Sequence, residues 1–142
     1  MGRAVVVSVG YERRSLEDLV EILTEHGVEK LLDVREAPVS RRQGFSKRCL
    51  AARLDEAGIE YLHLAVAGNP YRWLKEDIER CLELYEAHLC ENPEVVEVVA
   101  AELHGGPVAV LCYERLHDFC HRSVLLDALA QEGHHFKVVR VE

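Results

Sequence analysis

The chain has 142 residues, 49% hydrophobic and 30% charged, with a formal net charge of -8. This is the size and balance of one globular domain, and it excludes a disordered or low-complexity chain. No apolar run approaches the roughly 20 residues of a membrane helix and no signal-peptide cleavage pattern is present, so a cytoplasmic protein without membrane contact is expected. Five cysteines, an odd number with no CxxC spacing, argue against a disulfide framework and suit a reducing compartment.

From Arg3 to Val9 the chain is apolar and β-branched, then stops at Gly10, as a buried parallel strand requires. Ser15 with Asp18 makes an approximate capping box, after which Leu16, Leu19, Val20, Ile22 and Leu23 repeat with helical period as far as Gly27. Lys30 to Val34 is a second strand, and Pro38 turns the stretch from Arg35 to Gly44 into a loop. Ser46 opens a helix ending near Gly58, and Ile59 to Leu64 is the third strand, followed by a turn at Gly68, Asn69 and Pro70. Two acidic helices are expected next, from Tyr71 to Cys90 and from Pro93 to Leu103, the second with proline in its first turn. Beyond Gly105 and Gly106, Pro107 to Leu111 is a fourth strand ending at Cys112. Leu116 to Glu132 reads as a helix closed by Gly133, and Phe136 to Val141 as the last strand. The alternation predicts an α/β, Rossmann-like three-layer domain over residues 1–142, with a mostly parallel sheet of about five strands and right-handed crossovers.

Ligands of open α/β sheets bind outside the carboxyl ends of the strands, where this sequence gathers its polar residues. Arg14, Arg35, Arg41 and Arg122 are candidates for an anion site, because a guanidinium fork matches phosphate or carboxylate; each could instead brace a loop against Glu12, Asp33, Glu36 or Glu114. Asp33 and Glu114 are candidate acid–base groups, with Glu12 a further carboxylate at the rim. Cys112, at a strand tip, stands where α/β enzymes hold a nucleophile, although no glycine-rich loop follows it and a packed thiol would look the same. His117, Cys120 and His121, at i, i+3 and i+4, share one face of the expected helix and could ligate zinc if Cys112 or Glu114 supplied a fourth ligand. They match no recognised motif, and no metal or cofactor is assigned. Tyr11, Phe45, Tyr61, Tyr71 and Trp73 fall closest to the rim, with Phe45 and Tyr61 expected in the core.

Charge is segregated along the chain. Residues 35–53 carry Arg35, Arg41, Arg42, Lys47, Arg48 and Arg53 against Glu36 alone, whereas residues 72–104 carry Arg72, Lys75 and Arg80 against nine carboxylates.

The pieces from Ser8 to Ser15, Asp33 to Arg41, Gly44 to Lys47, Tyr61 to Leu64, Leu111 to Glu114 and Cys120 to Arg122 together resemble the domain-of-unknown-function 488 family. The resemblance runs from the first strand to the last helix, and their order and spacing carry it. It implies a Rossmann-like fold and a nucleic-acid partner in DNA repair, and brings no settled reaction. It places Gly10, Glu12, Arg14, Asp33, Arg35, Pro38, Ser40, Arg41, Cys112, Glu114, Cys120, His121 and Arg122 on the family's motif positions. Ala67-Gly68-Asn69 departs from the family's turn after the third strand, and no role is transferred there.

Two functions compete on this reading, with a redox or metal protein built on Cys112, Cys120 and His121 as a third. One is an enzyme on a phosphate-bearing or otherwise anionic small molecule or nucleotide. Its site would combine Glu114, Cys112 and Asp33 with the four arginines, supported by Glu12, Ser40, Cys120 and His121. The other is a nucleic-acid-binding module that lays the basic 35–53 segment on a phosphate backbone without catalysis. The direction taken by Arg41, Arg42, Lys47, Arg48 and Arg53, into a pocket or along a surface, discriminates between them.

Overall fold

The computed structural model describes residues 4–74 and 76–142; Arg3, the expected start of the first strand, and Lys75 lie outside them. Five strands, β1 (Ala4–Gly10), β2 (Lys30–Asp33), β3 (Glu60–His63), β4 (Val108–Cys112) and β5 (Phe136–Val141), form one parallel sheet in the order β3-β2-β4-β1-β5. The helices α1 (Leu16–Glu25), α2 (Lys47–Glu56), α3 (Ile78–Glu91), α4 (Glu94–Ala100) and α5 (His121–Gln131) alternate with them as the sequence predicts.

The pleat divides the core into two layers. Val7, Val9, Leu31, Ala109 and Leu111 face α1 and α2, while Val6, Leu32, Val108 and Val110 face α3, α4 and α5. Since β1 and β4 are covered on both faces they read as apolar runs, broken in β1 only by Ser8, and every residue of β4 is buried. The edges show the opposite composition, with Lys137 and Arg140 exposed on β5 and Glu60 on β3, which blunts pairing with another chain.

Topology sets the place of a site. The connections through α1 and α2 step toward β3 on one face and those through α3, α4 and α5 step back on the other, as a single crossover hand demands. The loops leaving β4 and its neighbours β1 and β2 therefore part to opposite faces and leave a crevice above the end of β4.

Two expected helices begin later than their apolar pattern suggests. Among the described residues, the stretch from Tyr71 contains only a single 3-10 turn, Arg72–Leu74, before Asp77 caps α3 by accepting from the Arg80 N–H at 3.1 Å. Likewise Leu116 to Glu132 is broken into a 3-10 turn, His117–Phe119, and α5, with Cys120 extended between them. Among the described residues no helix is long and apolar enough to cross a membrane.

Candidate functional site

A cleft opens above the end of β4, and the loops after the first four strands all contribute to it: Tyr11 after β1, Arg35 and Glu36 after β2, Asn69 and Arg72 after β3, and Glu114 after β4. Cys112, the last residue of β4, and His121, the first of α5, also line it. Gly10 pairs with Cys112 in the sheet register, and the chain after β4 crosses directly above it. A Cβ on Gly10 would stand 1.9 Å from the Glu114 carbonyl oxygen, so only glycine permits that crossing.

Cys112, Glu114, Cys120 and His121 converge here, their ligand atoms all within 4.8 Å of one another. Cys112 Sγ lies 3.9 Å from Glu114 Oε1 and 3.7 Å from His121 Nδ1, and Cys120 Sγ lies 3.7 Å from the same nitrogen. His121 Nε2 is 2.9 Å from the Val34 carbonyl oxygen, which can only accept. The ring therefore carries a proton on Nε2, and in its neutral form the Nδ1 lone pair faces the two thiols. Burial pushes the Glu114 carboxyl up to about 7 and the Cys120 thiol up to about 12. At His121 burial works toward the neutral form, but Cys120, the Val34 carbonyl and Glu114 outweigh it and raise its pKa.

His117 stands apart from this group. Because the chain forms a 3-10 turn there, it does not share a helix face with Cys120 and His121, and its Nδ1 lies 2.7 Å from Ser8 Oγ.

Three of the four arginines singled out in the sequence are committed to the protein itself. Arg14 donates from Nε to the Gly10 carbonyl at 2.9 Å and from Nη2 to the carbonyls of Val141 and Glu142. Arg122, wholly buried at the start of α5, donates to the Val9 carbonyl and, at 2.6 Å, to that of Glu114; its Nε has no partner among the described residues. Arg35 grips Asp33 with two parallel bonds, from Nε at 2.8 Å and Nη2 at 2.7 Å, and donates from Nη1 to the Phe45 carbonyl at 2.6 Å. Burial opposes the Arg35 charge, yet the Asp33 carboxylate overrides it and holds the guanidinium pKa above its ordinary value. Tyr61 donates its hydroxyl to the same carboxylate, and its own pKa is raised by burial and by that anion. Asp33 is thus fully buried and bonded on both oxygens, and it is Arg35 rather than Asp33 that lines the cleft. Arg41 is exposed and makes no hydrogen bond or ion pair among the described residues.

The supporting residues divide in the same way. Glu12 accepts the Arg115 N–H at 3.1 Å and Ser40 accepts that of Arg42 at 3.1 Å, so both brace loops, whereas Cys120 and His121 join the cluster. Of the aromatic rings, Tyr11 stacks on buried Phe45 at 4.5 Å, and Trp73 is exposed. Glu36, Arg72, Tyr113 and Phe119 line the cleft without having been singled out. For Glu36 and Tyr113 the signal was available, since each follows a strand end closely; Arg72 arrives from a distant segment and carried none.

The family model that matches the chain covers residues 15–129, and its description is "Domain of unknown function DUF488". The chain belongs to that family. No curated protein and no solved structure shows significant similarity to it.

Proposed function

We propose that the chain is an enzyme acting on a small anionic molecule in this cleft, with Glu114 as the proton-transfer group. The observation that carries this reading is the meeting of carboxyl, thiol and imidazole groups from the 112–114 and 120–121 segments beneath a cleft at the strand ends. Arg35 and Arg72 bring guanidinium groups to the wall, paired with Asp33 at 2.7 Å and with Glu36 at 3.8 Å, and Arg35 keeps one N–H of Nη2 uncommitted among the described residues. Phosphate-bearing metabolites and nucleotides are the substrate class. In this reading Arg14 and Arg122 hold the wall rather than the substrate. The five free thiols accord with work in a reducing cytoplasm.

The test is a turnover screen of phosphorylated metabolites and nucleotides with wild type and Glu114→Gln. The variant is expected to lose about 100-fold or more of the rate while keeping its far-ultraviolet circular dichroism, the usual scale of a lost general acid or base. Equal turnover in the two proteins rejects the assignment of Glu114.

One observation favours the second reading, a nucleic-acid-binding module. Arg41, Arg42, Lys47 and Arg48 are exposed and none of them lines the cleft, while Arg53 is paired with Glu17 at 2.8 Å. Oligonucleotide binding that weakens steeply with salt and collapses in Arg41→Ala/Arg48→Ala would support it. Failure to bind at low salt would remove it.

A further inference from the structure

We infer that Cys112, Glu114, Cys120 and His121 form a binding site for a zinc-class divalent cation at the inner end of the cleft. The inference goes beyond the proton-transfer reading, and no turnover is needed to judge it.

The donor types come first. Two thiolates and an imidazole are soft to borderline ligands that select zinc over magnesium or calcium, and a carboxylate completes a common tetrahedral set. Spacing agrees with that geometry. A tetrahedron with Zn–S bonds of about 2.3 Å and Zn–N bonds of about 2.0–2.1 Å has S···N edges of about 3.6 Å. The two S···N distances here are both 3.7 Å, and the S···O distance is 3.9 Å. All four donor atoms lie within 4.8 Å of one another, so closing them onto one ion takes a contraction of up to about 1 Å at the widest pair.

The surroundings hold the ligands in place. His121 donates its outer N–H to the Val34 carbonyl, the partner that fixes a ligating imidazole with its lone pair inward. The Glu114 backbone is held by Arg122 and by its close crossing of Gly10. Cys112, Cys120 and His121 are buried, unlike the exposed acidic clusters that commonly stand without an ion. Cys120 lies behind the other three, which line the cleft, so the ion enters from the cleft side. Glu114 is the carboxylate that would hold the ion on that side. Binding makes Cys112 and Cys120 thiolate ligands; the protons of both thiols, and any held on the Glu114 carboxyl or His121 Nδ1, pass to solvent.

The test uses full-length protein without a histidine tag, purified under reducing conditions. Elemental analysis is expected to give about one zinc per chain, falling to background in Cys112→Ser, Cys120→Ser and His121→Gln but retained when the exposed Cys49 and Cys90 are changed to serine. Should those site variants fail to fold, wild type decides: cobalt(II) added to metal-free protein must give a thiolate-to-cobalt charge-transfer band and intense tetrahedral visible bands. A weak octahedral spectrum, zinc retained in all three site variants, or zinc-free protein with Cys112 and Cys120 joined as a disulfide would overturn the site. Stoichiometric zinc without turnover on any substrate removes the enzyme reading alone. Glu114-dependent turnover in protein that binds neither metal removes the cation site alone.

Discussion

Arg122 carries a buried charge with no carboxylate paired to it among the described residues, its fork ending on the carbonyls of Val9 and Glu114. Charge-assisted hydrogen bonds of this kind contribute about 1.5–3 kcal/mol each, while desolvating the guanidinium offsets part of that gain. Arg122→Met is therefore expected to destabilise the fold by about 2–4 kcal/mol, read as a lower denaturant midpoint at unchanged slope. An unchanged midpoint would show that the clamp adds nothing to stability. Sequence made Arg122 an anion-site candidate because a guanidinium fork matches phosphate or carboxylate, but it could not show where the fork ends. The same holds for Arg35 and Asp33: the spacing suggested either a ligand fork or a brace, and the structure shows two parallel bonds between them, with Tyr61 donating to the same carboxylate.

At the scale of elements, α1 is the part whose local chemistry was most legible. Ser15 Oγ accepts the Asp18 N–H at 3.0 Å and Asp18 accepts that of Ser15 at 2.9 Å, a complete capping box. The bonds from the Ser15 backbone and side chain, with smaller contributions from Arg14 and Arg115, hold the Asp18 carboxyl below its ordinary pKa of 3.8. The sign follows from linkage. The unfolded chain binds the proton more readily, so the carboxylate's contribution is present above pH 3.8 and is lost as pH falls through the lower folded value. In Ser15→Ala the Asp18 pKa should move back up, as followed by carboxyl chemical shifts; an unmoved titration contradicts the capping account.

Gly10 belongs to the same scale, because it lets one element cross another. Gly10→Ala forces its Cβ into the Glu114 backbone, at an expected cost of about 1–3 kcal/mol and with the carboxyl displaced from the two thiols. Full stability together with full turnover would sink that view of the crossing. Helix starts were the least legible feature here, since apolar spacing runs on through the turns Arg72–Leu74 and His117–Phe119 and does not reveal a change from 3.6 to 3.0 residues per turn.

For the molecule as a whole, the sheet order sets the pattern of stability. β1 and β4 lie inside the sheet with helices on both faces, whereas β3 and β5 are edges. Amide hydrogen exchange is expected to be slowest in β1 and β4 and fastest, among ordered segments, in the exposed stretch 39–43. Equal protection at edges and centre would contradict this ranking. The alternation of apolar runs with helical periods determined the α/β class, the two-sided cover of the central strands and the rim to which the polar residues belong, because these depend on local periodicity. Only the tertiary structure decided that Cys112 and Glu114 meet Cys120 and His121, that His117 turns to Ser8, and that Arg14, Arg35 and Arg122 each bond to groups of the protein itself. The physical reason is that strand order, loop crossing and side-chain direction are set by contacts between segments far apart in the chain, which no local pattern of residues encodes.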